Sequence, residues 1–324
     1  MDRRETVLRS AAVVGTGLIG TSVALALRAR GVTTYLLDRD PEAARTAASL
    51  GAGIAGAPPA RVDLAVLAVP PSATATALHS WQRKGLAESY TDVASVKSRP
   101  QADMTRLGCD LPRFVGGHPM AGREYSGPLA AQADLFHGRT WVLTPSAFSG
   151  DAALSRAHRL VELCGGRPLV MDHAEHDRAV ALTSHAPHLI ASLMAARLAD
   201  GEESELRLAG QGLRDTTRIA AGDAELWGDI LGCNAGAVHD VLTEVASDLG
   251  EVLVALRRLS REEPEPDGSP ADGPPGSPAE EGMAALRAVL THGIEGRARI
   301  TGRGAAVPGR ILEEPRPAGL AGRT

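Results

Sequence analysis

The chain has 324 residues, 44% hydrophobic and 23% charged, which is enough apolar material for substantial cores and for two domains. A formal net charge of −5, with no run of Lys and Arg interleaved with aromatics, argues against a phosphate-backbone-binding face, so nucleic acid is not expected as a partner. No apolar stretch reads as filling the roughly 18 to 20 residues of a membrane span, the start MDRRETVLRSAAVV leads directly into a strand rather than a cleavable signal, and Cys109, Cys164 and Cys233 lie far apart, so a cytoplasmic chain with reduced thiols is expected.

The first third is the most legible. SAAVVGTGLIGTSVALALRARG runs from a short apolar strand through Gly15, Gly17 and Gly20 into a helix, with Leu18 and Ile19 on its first turn. In this strand-turn-helix setting GxGxxG fits a dinucleotide: Gly15 permits the tight turn, Gly17 admits a pyrophosphate and Gly20 allows close packing of helix on strand. The helix start offers unpaired N–H groups and a positive dipole end to the anion. The next strand, TTYLLD, ends at Asp38, placed to accept hydrogen bonds from an adenosine ribose and to repel a 2′-phosphate, which favours NAD over NADP. Arg39 could hold a phosphate or lie over the adenine, and Asp38 could also simply open the following helix.

Strand-like runs recur at 62–70, 89–95, 113–119 and 139–145, separated mainly by helical ones, and a further helix and strand extend to about 171. The result is an α/β fold with an N-terminal Rossmann-type doubly wound sheet over residues 1–172. Such sheets bind ligands beyond the carboxyl ends of their strands, and Pro70, Ser95 and His118 each follow a strand. His118, in GGHPMAGREYSG, could cap a turn or face the cofactor.

From residue 173 the pattern turns helical, predicting an all-helical C-terminal domain over 173–260. Val238, Leu242, Val245, Leu249, Val252 and Leu256, at spacings of three and four, form a stripe suited to a bundle seam or a dimer interface. His176, His185 and His188 invite a metal reading, but Pro187 interrupts the turn and no Cys or Glu-x-x-His pattern completes a ligand set, so no metal is expected. Arg214 and Arg218, four apart, would form a fork for a dicarboxylate if that segment is helical.

VVGTGLIGTSVALAL, TDVASVKS, GGHPMAGREYSG, TSHAPHLIA and LRDTTRIAAGDAELWGDIL together resemble the prephenate dehydrogenase family, in order and spacing, over about residues 10–260. The resemblance implies NAD-dependent oxidation and decarboxylation of prephenate to 4-hydroxyphenylpyruvate in tyrosine biosynthesis. It assigns His118 to the substrate hydroxyl as base and Ser95 to orienting that histidine and the substrate. It also implies that Arg218 anchors a substrate carboxylate, that His188 lies near the pyruvyl side chain, that His176 and Trp227 line the pocket and that Glu124 gates its mouth. Arogenate and 4-amino-4-deoxyprephenate remain alternative substrates, the latter in a specialised antibiotic pathway. A non-catalytic dinucleotide sensor is disfavoured because His118, Ser95 and Arg218 are all present. A homodimer through the helical domain is implied as well.

Residues 261–324 begin with a Pro-, Gly- and acid-rich linker and read as a disordered tail, apart from a short helix at 283–290. Relatives of this kind can continue into a small regulatory domain of the ACT type. None is expected here, and with it no feedback by tyrosine through such a domain.

Overall fold

The computed structural model describes residues 7–122, 126–260 and 277–301. Eight strands form one sheet: β1 (Ser10–Val14), β2 (Thr33–Leu37), β3 (Ile54–Ala55), β4 (Val62–Leu67), β5 (Ala87–Asp92), β6 (Phe114–Pro119), β7 (Thr140–Thr144) and β8 (Arg167–Val170). Their order is β3-β2-β1-β4-β5-β6-β7-β8, parallel except where β7 meets β6 antiparallel. The apolar runs are buried on both faces, as parallel strands require: Ala11 and Val13 enter one core, Ala12 and Val14 the other. Helices α1 (Leu18–Ala29), α2 (Pro41–Ser49), α3 (Pro71–Arg83), α4 (Ser98–Arg106) and α5 (Asp151–Leu163) accompany the sheet.

Because β1, β2, β4, β5 and β6 run in one direction, their carboxyl ends share an edge. That edge collects the Gly15–Gly20 turn, Pro70, the loop from Val93 to Lys97, and His118.

The helical segment starts with α6 (His173–Val180), passes through a π-helical turn at Ala181–His185 and continues as α7 (Ala186–Ala199). Pro187 therefore does not break it. The widened turn lies where a proline would otherwise crowd the preceding carbonyls, and such turns recur at functional sites. The resulting 27-residue run, His173–Ala199, is long and apolar enough by length and composition to cross a membrane, which corrects the expectation of no such stretch. It nevertheless buries His176, Asp177, His185 and His188, ionisable groups that belong to the site described below.

The remaining helices are shorter than the sequence pattern suggests: α8 (Glu203–Leu206), α9 (Gln211–Thr217) and α10 (Ala224–Cys233) precede the long α11 (Ala235–Leu259). Gly210 stands at the start of α9, Gly222 ends the 3-10 turn Arg218–Ala221, and Asn234 separates α10 from α11. The chain forms two compact units, one ending at Val238 and the next beginning at His239. Hydrogen bonds from Lys97 N and Ser98 N to Asp177, and from Ser72 N to Asp229, join the first helices to the sheet domain.

A further helix, α12 (Pro278–Thr301), stands where only a short one at 283–290 was expected in a disordered tail. Ser277 Oγ accepts from Glu280 N at 3.2 Å, Glu280 and Glu281 occupy the first turn, and Arg258 on α11 pairs with Glu281 at 3.0 Å. Gly282 lets the two helices approach, since a Cβ there would lie 2.9 Å from the Ala255 carbonyl oxygen.

Candidate active site

The glycine-rich turn has the geometry that its spacing predicts. Gly15 has φ +97°, and a Cβ on it would sit 2.1 Å from the Ala68 carbonyl oxygen. A Cβ on Gly20 would fall 1.9 Å from the Gly15 oxygen, so the contact of helix on strand excludes any side chain. Gly17 is different: it is exposed, and a Cβ there would meet nothing within 4 Å. The turn leaves an open cradle at the start of α1, where no side chain caps the helix. Leu18 is buried beneath it and Ile19 partly so.

Asp38 follows β2 with its carboxylate against the same turn. Its Oδ2 accepts from Thr16 N at 2.6 Å and Thr16 Oγ1 at 2.8 Å, and its Oδ1 accepts from Asp40 N at 3.0 Å. The capping role for α2 belongs to Asp40, whose carboxylate accepts from Glu42 N at 3.0 Å. Arg39 is exposed, and Pro70 is exposed at the start of α3. An open helix N-terminus, a cradle that a Cβ would fill and a carboxylate one strand over form a donor and acceptor set that fits an adenine dinucleotide.

His118, near the carboxyl end of β6, is half-buried, and its Nδ1 lies 2.8 Å from His176 Nε2. His176, on α6, is fully buried, and its Nδ1 lies 2.8 Å from Asp177 Oδ1. Asp177 also accepts from Lys97 N at 2.9 Å and from Ser98 N at 2.7 Å. Burial works against its charged form, yet the bonds from His176, Ser98 and Lys97 together hold the carboxyl below the usual range. His118 is held well below 6.5, first by burial and then by His176, Lys97 and His185. At neutral pH it is a neutral imidazole able to accept a proton.

Beneath His118 lies a buried ion pair. Lys97 Nζ donates to Asp92 Oδ2 at 2.6 Å and to the Gly117 carbonyl oxygen at 2.5 Å, while Asp92 Oδ1 accepts from Gly117 N at 2.7 Å. Both backbone groups of the residue before His118 are thereby clamped. Burial depresses the Lys97 ammonium, and Asp92 and Asp177 oppose that shift.

A second cluster forms on α7 and α10. His188 stacks on Trp227, with ring centroids 3.5 Å apart and planes at 14°, and its buried Nδ1 has no hydrogen-bond partner among the described residues. Gly222 lies against both rings; a Cβ there would meet Trp227 Nε1 at 2.4 Å. His185 stands edge-on to Trp227 at 6.2 Å. Asn234 Nδ2 donates to the Asp177 carbonyl oxygen at 2.9 Å and lies 3.0 Å from His185 Nδ1. Burial, with smaller contributions from His176 and His188, pushes His185 down to about 4 against the pull of Asp177. Arg218 is exposed at the start of the 3-10 turn that packs on α7, while Arg214 ends α9, so one regular helix does not carry the pair.

Ser95 is half-buried and makes no hydrogen bond to His118; the side chain bonded to His118 is that of His176, expected to line the pocket. Glu124 lies outside the described residues. Among the described residues no group of three or more His, Cys, Asp or Glu side chains is arranged to hold a metal ion. Sequence reading missed Asp92, Lys97, Asp177 and Asn234. The available clue was Asp92 and Lys97 themselves, two charges at the end of a strand-like run in a sheet covered on both faces.

Two family models match the chain: the prephenate dehydrogenase nucleotide-binding domain over residues 23–170 and the prephenate dehydrogenase dimerization domain over 172–264. The chain is 43% identical to the Streptomyces niveus protein named "Probable prephenate dehydrogenase NovF" over 297 residues, 91% of this chain and 78% of that one. It is 34% identical to the cyclohexadienyl dehydrogenase of Zymomonas mobilis, over 78% of this chain and 89% of that one. Among solved structures, the A. aeolicus prephenate dehydrogenase in complex with hydroxyphenyl propionate and NAD+ superposes with a TM-score of 0.73 at 26% identity, over 89% of this chain and 98% of that one.

Proposed function

The chain belongs to the prephenate dehydrogenase family of NAD-dependent oxidoreductases, and from that premise we propose that it oxidises and decarboxylates prephenate to 4-hydroxyphenylpyruvate with NAD. The observation that carries the reading is His118, a neutral imidazole at the edge that also holds the dinucleotide cradle. Residues 1–172 serve as the cofactor domain, with Gly15, Gly17, Leu18, Ile19, Gly20, Asp38, Arg39 and Pro70 around the dinucleotide; 173–260 serve the substrate and dimerisation. Bound NAD supplies the hydride acceptor. Asp38, already accepting hydrogen bonds from the turn, favours ribose hydroxyls over a 2′-phosphate.

His118 takes the proton of the ring hydroxyl as the carbinol hydrogen leaves as hydride, the ring carboxylate departs as carbon dioxide while the ring becomes aromatic, and the resulting phenolate oxygen takes the proton back from His118. Most of the driving force lies in that aromatisation, so the protein chiefly orients and deprotonates. Ser95, beside the strand end, contacts the same hydroxyl. The unpartnered Nδ1 of His188, against the Trp227 ring, meets the polar side chain of the substrate, and Arg218 binds a carboxylate. Exposed Val245, Leu249 and Leu256 on α11 support self-association through the dimerization segment.

Purified protein is incubated with NAD or NADP and with prephenate, arogenate or 4-amino-4-deoxyprephenate, following reduced-nicotinamide absorbance and product mass. Prephenate with NAD should give the highest kcat/KM. A preference for either amine-bearing substrate overturns the substrate assignment, and turnover of none overturns the enzymatic one.

A further inference from the structure

His118 can act as a base toward a hydroxyl only through a nitrogen that carries no proton, and its two ring nitrogens are not equivalent here. Nδ1 is occupied by His176, which leaves Nε2 for the substrate. Which of the two bears the proton follows from the far end of the chain of contacts. Asp177 accepts from two backbone N–H groups, Lys97 at 2.9 Å and Ser98 at 2.7 Å, and neither donor can be withdrawn because both belong to the main chain at the start of α4. A carboxylate so placed is an acceptor only, so the 2.8 Å contact with His176 requires the hydrogen on His176 Nδ1. When His176 carries a single proton, its Nε2 is then a lone pair. The 2.8 Å contact with His118 in turn requires the hydrogen on His118 Nδ1.

We propose that His176 and Asp177 are positioning residues that fix the tautomer of His118, keeping its Nε2 bare toward the substrate. The proposal rests on the reading of His118 as the base. The arrangement is built into the fold. His176 and Asp177 are adjacent on α6, both buried, and Lys97 supports the assembly at two points, its main-chain N on Asp177 and its ammonium on the Gly117 carbonyl next to His118. The groups facing His118 are therefore His176 and Asp177 from α6, Lys97 and Asp92 from the β5 side, and His185 from the π-helical turn. When His118 takes the substrate proton on Nε2, its Nδ1–H stays bonded to His176, so the new cation forms without breaking a contact. The logic is that of a histidine oriented by a buried acid, extended by one imidazole.

The test is nitrogen-15 NMR of the histidine rings in the free full-length protein at neutral pH, alongside steady-state kinetics. Wild type should show His118 protonated at Nδ1 and bare at Nε2. His176→Phe, which removes the acceptor, should shift His118 toward the Nε2-protonated form and lower kcat by roughly 10²- to 10⁴-fold, the span a general base supplies, with KM changed little. His176→Gln, whose amide oxygen can accept from Nδ1, should retain the wild-type tautomer and most of kcat. If His176→Phe does not fold, wild type and His176→Gln still decide the matter. Wild-type His118 protonated at Nε2, or His176→Phe with tautomer and kcat intact, overturns the proposal. The expected tautomer in a protein that turns over no ring substrate would overturn the proposed reaction and leave the tautomer assignment standing.

Discussion

Gly17→Ala separates folding from cofactor binding in one substitution. Gly17 has φ −72° and ψ −164°, an extended conformation that alanine adopts without strain, and a methyl there meets nothing within 4 Å. The free protein should therefore be as stable as wild type, or more stable by about 0.4–1 kcal/mol, because alanine narrows the unfolded ensemble. The cradle is another matter: the methyl occupies the space through which a pyrophosphate reaches the N–H groups at the start of α1. Losing one hydrogen bond to a charged group costs roughly 1.5–3 kcal/mol, or about ten- to a hundredfold in Kd for NAD. Thermal unfolding without cofactor and calorimetric titration with NAD measure the two effects separately. Gly20→Ala is the contrast, because its Cβ would lie 1.9 Å from the Gly15 oxygen and 2.9 Å from the Ala68 Cβ, so Tm itself should fall. Unchanged NAD affinity in Gly17→Ala, or a loss of Tm as large as that of Gly20→Ala, would refute the placement of the cofactor.

Two further outcomes are expected. The acid limb of kcat/KM should lie well below pH 6.5, since burial, His176, Lys97 and His185 hold His118 down and the neutral imidazole is lost only as pH falls through that lowered value; a midpoint at or above 6.5 in a pH–rate profile counts against His118. Arg218→Ala should raise KM about thirtyfold or more, the equivalent of roughly 2–5 kcal/mol for one partner of a charge pair, while kcat changes only severalfold. Initial-rate kinetics showing the opposite split would remove Arg218 from the substrate site.

The parts of this molecule that could be read from sequence are those written in local pattern. Gly15, Gly17 and Gly20 declare a turn because each spacing answers to a separate steric demand, and the apolar runs of β1 and β4 declare a sheet covered on both faces. The support of His118 is not local. His118 and His176 are 58 residues apart and Lys97 and Asp177 are 80 apart, and no periodicity announces that they touch. Ser95 drew attention as a polar residue after a strand, but Lys97, two positions on, makes the buried bonds. Pro187 suggested an interruption because a regular α-helix would have to kink there, whereas a widened turn carries the chain through. The helix at Pro278–Thr301 was underestimated because its polar, glycine-bearing sequence gives only a weak stripe.

The position of Lys97 bears on how such proteins can be recombined. A hybrid spliced at residue 171, in the gap between the two matched family segments, would take His118 and Lys97 from one parent and the His176–Asp177 dyad from the other. An exchange of helical segments intended to alter substrate preference keeps this network within a single lineage only if residues 92–98 and the strand bearing His118 travel with α6.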